Sequence, residues 1–207
     1  MPKRWMAAFA ICVLSVLASA CSSGSPSATT TTSTTTTSNP GTTVPGLPTT
    51  STTTTTPSVA ALCAGANVGV SGKMASAAAG HQGVVVLFVN NGSTSCVFHG
   101  YPGAAGLNAS GAQVVQAQRT LTGMMGGLSP GVTALPRITL APGQTASAVV
   151  EGTDVPSGTE TSCPAYPSLL VTAPNTKVSV TIPLSLPGCS GLQVHPVVPG
   201  TSGSTQF

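Results

Sequence analysis

Between Val59 and Gly200 the chain is broken by Pro, Gly and Asn so often that no stretch offers a capped, amphipathic helix. Short apolar runs stand between the breaks. Gly83 to Asn90, GVVVLFVN, is β-branched and apolar throughout and is closed by Asn91-Gly92, which predicts a strand buried on both faces. Gln113 to Gln118, Arg137 to Leu140, Gln144 to Glu151, Ser168 to Thr172, Lys177 to Pro183 and Leu192 to His195 read as further strands. Asn108 to Gly111, Ala141-Pro142-Gly143, Pro174-Asn175 and Pro187-Gly188 separate them as turns. Seven or more short strands at this spacing argue an all-β fold, an immunoglobulin-like β-sandwich over residues 59–200. Thr120 to Gly131, TLTGMMGGLSPG, is too rich in glycine for a strand and reads as a mobile loop. Residues 201–207 read as a flexible tail.

The rest of the chain says where such a domain is displayed. Lys3 and Arg4 precede Ala7 to Ala18, AAFAICVLSVLA, an apolar run too short for the roughly 20 residues that span a bilayer. Small residues Ala18, Ser19 and Ala20 follow. That order is a secretory signal peptide over residues 1–20. VLASAC resembles the lipobox of bacterial lipoproteins, with Ala18 where Leu is usual. The resemblance implies lipidation at Cys21 and a membrane contact through that anchor, on the extracytoplasmic face of the cell membrane. Ala18-Ser19-Ala20 is equally an A-x-A site, and cleavage there would release the chain as a secreted protein.

Ser22 to Ser58 is dominated by Ser and Thr, carries no charge and has almost nothing apolar to bury. Such a segment cannot offset its ordering entropy, so residues 21–58 read as the lipidated cysteine and a disordered linker. Ser/Thr-rich tracts with Pro are typical of O-glycosylated stalks. As a free coil it spans roughly 33 Å, enough to lift a small domain off a lipid surface.

Charged residues are only 4% of the 207-residue chain. Past the signal, Lys73, Arg119, Arg137 and Lys177 face Glu151, Asp154 and Glu160, four cations against three carboxylates for a net charge of +1. No basic cluster remains to neutralise phosphates, so nucleic acid is not an expected partner. Four cysteines remain beyond Cys12 and Cys21. Cys63, Cys96, Cys163 and Cys189 are an even set in an exported chain and read as two disulfides, with three pairings open. None forms C-x-x-C, which argues against zinc and thioredoxin-like chemistry.

The order Cys63, AAGHQGVVVLFVNNGSTSCVFHGYPG, ITLAPGQTA, Cys163, LLVTAPN, Cys189 resembles an actinobacterial envelope domain of unknown function, common in lipoproteins. Its pattern is Cys-x-Leu-x-Gly-Tyr-Pro-Gly followed by Leu-x-Pro-Gly. Gly80, Asn90, Cys96, Gly100, Tyr101, Pro102, Gly103, Leu140, Pro142 and Gly143 match, and Phe98 stands for the usual Leu. The resemblance implies an immunoglobulin-like sandwich and assigns no activity. It also implies an early and a late cysteine pair, Cys63–Cys96 and Cys163–Cys189. Each such pair brackets a compact block of strands and turns.

Within CVFHGYPG, Cys96 and Phe98 fall on one face of a strand and His99 on the other. Gly100 supplies a conformation closed to other residues, and Pro102-Gly103 suits the middle of a tight turn. The octapeptide reads as a stapled corner, not a reactive site. Acid–base or nucleophilic catalysis needs paired carboxylates or a Ser/Cys–His–acid set. Glu151, Asp154, Glu160, His81, His99 and His195 form no such motif. The three carboxylates sit in or beside EGTDVPSGTE, which reads as a solvated loop.

The leading expectation is therefore a non-catalytic, surface-displayed module that binds an envelope component or a protein partner, without cofactor, metal or catalytic residues. Two alternatives stand beside it. One is an extracytoplasmic hydrolase with an unrecognised site. The other is a copper-handling domain in which Met124 and Met125, with a histidine from elsewhere, supply soft ligands suited to Cu(I).

Overall fold

The computed structural model describes residues 60–206. Cys21, the signal peptide and the Ser/Thr-rich linker lie outside the described residues. After a 3-10 turn at Gly65–Asn67, the strands in chain order are β1 Val68–Met74, β2 His81–Asn90, β3 Cys96–His99, β4 Gly103–Leu107, β5 Gln113–Gln116, β6 Gln118–Arg119 and β7 Arg137–Leu140. They continue as β8 Thr145–Thr153, β9 Ala165–Tyr166, β10 Ser168–Thr172, β11 Ser179–Ile182, β12 Leu186–Pro187, β13 Cys189–Val194 and β14 Val198–Pro199.

The larger sheet runs β1-β2-β8-β13-β6, with β14 also paired to β8. The smaller runs β11-β10-β4-β5. One core joins them: Val84, Val86 and Phe88 of β2 and Ala146, Ala148 and Val150 of β8 pack with Leu169 and Val171 of β10 and Ile182 of β11. This is the all-β sandwich that the strand rhythm predicts. β2 is buried on both faces as expected: Val84 and Val86 enter the inter-sheet core, and Val85 is buried on the opposite face, where Met125 packs over Gly83.

β7 and β10 begin and end where the sequence places them. The expected strand at Gln113 to Gln118 instead divides at Ala117. Ala117 donates its N–H to the Ala104 carbonyl of the small sheet, and the next residues leave to pair with β13 of the large one. Five strands are absent from the sequence reading: the two-residue β9, β12 and β14, and the longer β1 and β4. β1 is diluted by Gly69, Gly72 and Lys73. β4, GAAGL, is built of small residues because a Cβ at Gly106 would run into the Tyr166 ring and Val115.

The corner is as expected in part. β3 pairs with β7, Phe98 is buried against Phe88, and His99 is exposed. Gly100 takes a φ of 100°. The tight turn expected at Pro102-Gly103 is not there, since Gly103 already opens β4. Tyr101 instead lies under the Arg119 guanidinium, 5.8 Å from its ring centre. Both disulfides pair as the resemblance implies, Cys63 with Cys96 and Cys163 with Cys189.

Two further expectations are corrected. Thr120 to Gly131 is a loop, but a pinned one, and residues 201–206 of the expected flexible tail are docked on it. Gly127 donates to the Gly203 carbonyl, Thr205 donates to the Gly127 carbonyl, and the Gln206 amide reaches the Gly126 carbonyl at 2.8 Å. Gly203 in turn donates to Ser147 Oγ at 2.8 Å. The loop's glycines serve close approach: a Cβ at Gly126 would strike Val149 and the Gly203 carbonyl. Loop and tail together cover the face of the large sheet that points away from the sandwich core.

Candidate functional site

Under that cover lies the one place where titratable side chains converge among the described residues. β8 alternates, so Ala146, Ala148 and Val150 enter the core while Ser147, Val149 and Glu151 point to the covered face. Glu151 stands opposite Gly83 of β2, and the missing side chain there leaves room for Met125. The carboxylate is 2% exposed. Its Oε1 accepts the Met124 N–H at 3.2 Å, and its Oε2 accepts the Met125 N–H at 2.7 Å. His195, fully buried, places Nε2 3.0 Å from the same Oε2. The other ring nitrogen of His195 meets the Thr120 hydroxyl at 3.1 Å and the Thr120 carbonyl at 3.2 Å. His81, 31% exposed on β2, holds Nδ1 3.5 Å from Oε1.

This corrects the reading of Glu151 as part of a solvated loop. Residue 151 belongs to a strand that continues to Thr153, and the solvated turn begins only after it. The sequence signal that could have found it is weak: a lone carboxylate following SAVV in strand alternation. Asp154, just beyond, is exposed and accepts from the Gln82 amide at 2.8 Å. Glu160 and His99 are exposed, and His99 Nδ1 lies 3.1 Å from the Pro136 carbonyl. These three take no part in the cluster.

Burial pushes the Glu151 carboxyl upward. The hydrogen bond from His195, the Met125 N–H, the charge on His195 and the Met124 N–H together outweigh it and hold the group below its ordinary value. This carboxylate, with almost no exposed surface, has both oxygens engaged within the fold by two backbone amides and an imidazole. Its chemical role is a clamp. It fastens the loop at residues 124–125 to β8 and to the residue that follows β13. Gly123 sits so close that a Cβ there would collide with His195 and Glu151 Oε2.

Met124 and Met125 are thus brought to the carboxylate that His81 and His195 also approach, although it is their backbone N–H groups and not their sulfurs that bond to it. Met124 is 51% exposed and borders a hollow of about 280 Å³ with Ala75, Ala78, Met125, Ser202 and Ser204. Among the described residues, no three His, Cys, Asp or Glu side chains are arranged to hold a metal ion.

A family model described as a domain of unknown function, DUF4232, matches residues 63–198. No curated protein and no solved structure matches the chain.

Proposed function

Because this chain belongs to the DUF4232 family, whose description assigns no activity, we propose on physical grounds that it is a non-catalytic module, membrane-anchored and surface-displayed, that binds an envelope component or a protein partner. The observation that carries this reading is the state of the Glu151–His195 pair. It is the closest approach to an acid–base dyad among the described residues, and all of its polar atoms are engaged within the domain. General acid–base catalysis needs a group within reach of a substrate proton, and this pair is sealed by loop and tail. That weighs against the hydrolase alternative.

The anchor is proposed at Cys21, on the lipobox-like VLASAC. A diacylated cysteine holds a protein stably where a single chain does not. Metabolic labelling with a fatty-acid analogue is expected to mark the wild type and not Cys21→Ala. On intact cells, a lysine-independent photocrosslinker at the displayed domain is expected to give discrete adducts. An unlabelled protein found in the medium would refute the anchor. Absence of any adduct, together with turnover of an envelope polymer by the purified chain, would refute the module.

The copper reading keeps one supporting observation, the gathering of Met124, Met125 and His81 around Glu151. Titration with Cu(I) tests it. Binding by the wild type that is lost in Met124→Ala/Met125→Ala would support it, and no binding by the wild type would end it.

A further inference from the structure

β1 is the outer strand of the large sheet, and among the described residues nothing pairs with its far side. Its hydrogen-bonding phase is determined by the bonds at its two ends. Ala75 donates to the Gly83 carbonyl and Asn91 donates to the Asn67 carbonyl. The register between them is one-for-one from Val68↔Asn90 to Met74↔Val84. In an antiparallel pair, bonded and non-bonded positions alternate, so Gly69, Ser71 and Lys73 bond to β2. The N–H and C=O groups of Val68, Val70, Gly72 and Met74 therefore point out of the sheet. Asn90, which donates to the carbonyl of Gln144 just before β8 on the other side, fits the same phase.

Val68, Val70 and Gly72 face the inter-sheet core, as do the β2 residues Val84, Val86 and Phe88, while Met74 at the end of the row is 45% exposed. Across the open side of the sandwich lies β11, the outer strand of the small sheet. Between the two edges run two adjoining hollows of about 230 and 330 Å³ that share Val70 and Val180 as a dividing wall. Val68, Val178, Ile182 and Leu184 are the other large apolar side chains of the lining, Ser71, Thr176 and Thr181 are its hydroxyls, and no charged side chain enters it. Val178 is 60% exposed. The one charge on β1, Lys73, is on the opposite face.

The geometry points to β1 as a docking edge for an extended peptide strand of another protein, which adds to the large sheet and lays alternate apolar side chains into the two hollows. The row of outward main-chain groups specifies a strand. The alternation follows because side chains on one face of a strand recur about every 7 Å, the same interval as Val68, Val70 and Gly72 along the hollows. Charge completes the match: uncharged residues face the slot, and an acidic residue on the other face pairs with Lys73 across the strands. The edge is seven residues long and, apart from Lys73, carries none of the prolines or charges that usually block such an addition.

This inference rests on the reading of the chain as a binding module and gives that module a site. The probe is a capped peptide, Thr-Val-Glu-Val-Thr-Val-Thr, added to the full mature chain while amide hydrogen exchange is read residue by residue. Without peptide, the amides of Val68, Val70, Gly72 and Met74 should exchange fast and those of Gly69, Ser71 and Lys73 slowly. Saturating peptide should slow the first set about tenfold or more and leave the second unchanged. Val70→Pro removes an outward N–H without touching the β2 ladder, and should weaken peptide binding about tenfold or more. Lys73→Glu should weaken it about two- to fivefold and reverse the preference between this peptide and its Glu-to-Lys counterpart.

The wild-type exchange pattern decides the matter even if Val70→Pro does not fold. No slowing at Val70 and Gly72, or slowing at β5 or β14 instead, would overturn the inference. Slow exchange at Val68 and Val70 before peptide is added would also overturn it, since the edge would then be filled by this chain or a second copy. A protein adduct on cells combined with an unprotected β1 would remove this site while leaving the module reading in place.

Discussion

Glu151→Ala is expected to cost the domain about 3–5 kcal/mol, because removing one partner of a buried ion pair leaves the other uncompensated. The substitution strands His195 and two backbone N–H groups at once, at Met124 and Met125. Against a whole stability of about 5–15 kcal/mol, that should lower the melting temperature by roughly 10–20 °C. The loss should also have a location. Amides of residues 120–131 and 201–206 should exchange faster before the sandwich core does, since Glu151 fastens the loop and the loop holds the tail. Glu151→Gln keeps the shape but turns an NH2 group toward one of its donors, and should fall between wild type and alanine.

Acidity should act in the same direction. The folded-state value of Glu151 lies below the ordinary 4.5, so its contribution is fully present above that value. It is lost as pH falls through the folded value, when the clamp takes up its proton. Urea unfolding of the wild type should therefore weaken more steeply below about pH 4.5 than that of Glu151→Gln. Near-identical stability of wild type and Glu151→Ala at neutral pH, with the loop still protected, would show that the clamp contributes nothing.

Breaking either disulfide should cost a comparable amount. The sequence separations of 33 and 26 residues correspond to about 3.5 kcal/mol each in the chain-entropy description. Their local consequences differ. Without Cys63–Cys96, the entry segment is held to β3 only by the bonds Cys63 makes to the Val97 carbonyl and Val97 to the Ala61 carbonyl. Without Cys163–Cys189, the exposed turn after β8 loses its covalent tie to β13, where that strand bulges between Cys189 and Leu192, and keeps the contact between the Ser157 and Ser190 hydroxyls. Cys96→Ser should make Cys63 open to alkylation while Cys163–Cys189 stays intact. Peptide mapping without reductant checks this, and a Cys63 joined to Cys163 or Cys189 would contradict the pairing.

What could be read directly from the sequence was what local chemistry decides. Arg137 to Leu140 and Ser168 to Thr172 are strands because their own residues favour an extended chain and turn residues bound them. Gly83 to Asn90 is a strand buried on both faces because Val84 to Val89 are apolar without a break. That Cys96 and Phe98 share one face of a strand, with His99 on the other and a glycine corner after it, followed from strand alternation and Gly100. The partner of Cys96, by contrast, came from the family resemblance. What tertiary structure decided were the cases where a residue's environment comes from far along the chain. Glu151 is followed by Gly152, Thr153 and Asp154, which read as a turn, yet its surroundings are set by Gly83, by the loop at Met124 and by His195. β4 is made of glycine and alanine because Tyr166 crosses it, and the tail is ordered because Ser147 and Gly127 receive it. Periodicity and composition carry the preferences of neighbours in sequence. They carry no record of which distant backbone will supply a buried carboxylate with its hydrogen-bond donors, and here that choice turned a solvated acid into the clamp of the covered face.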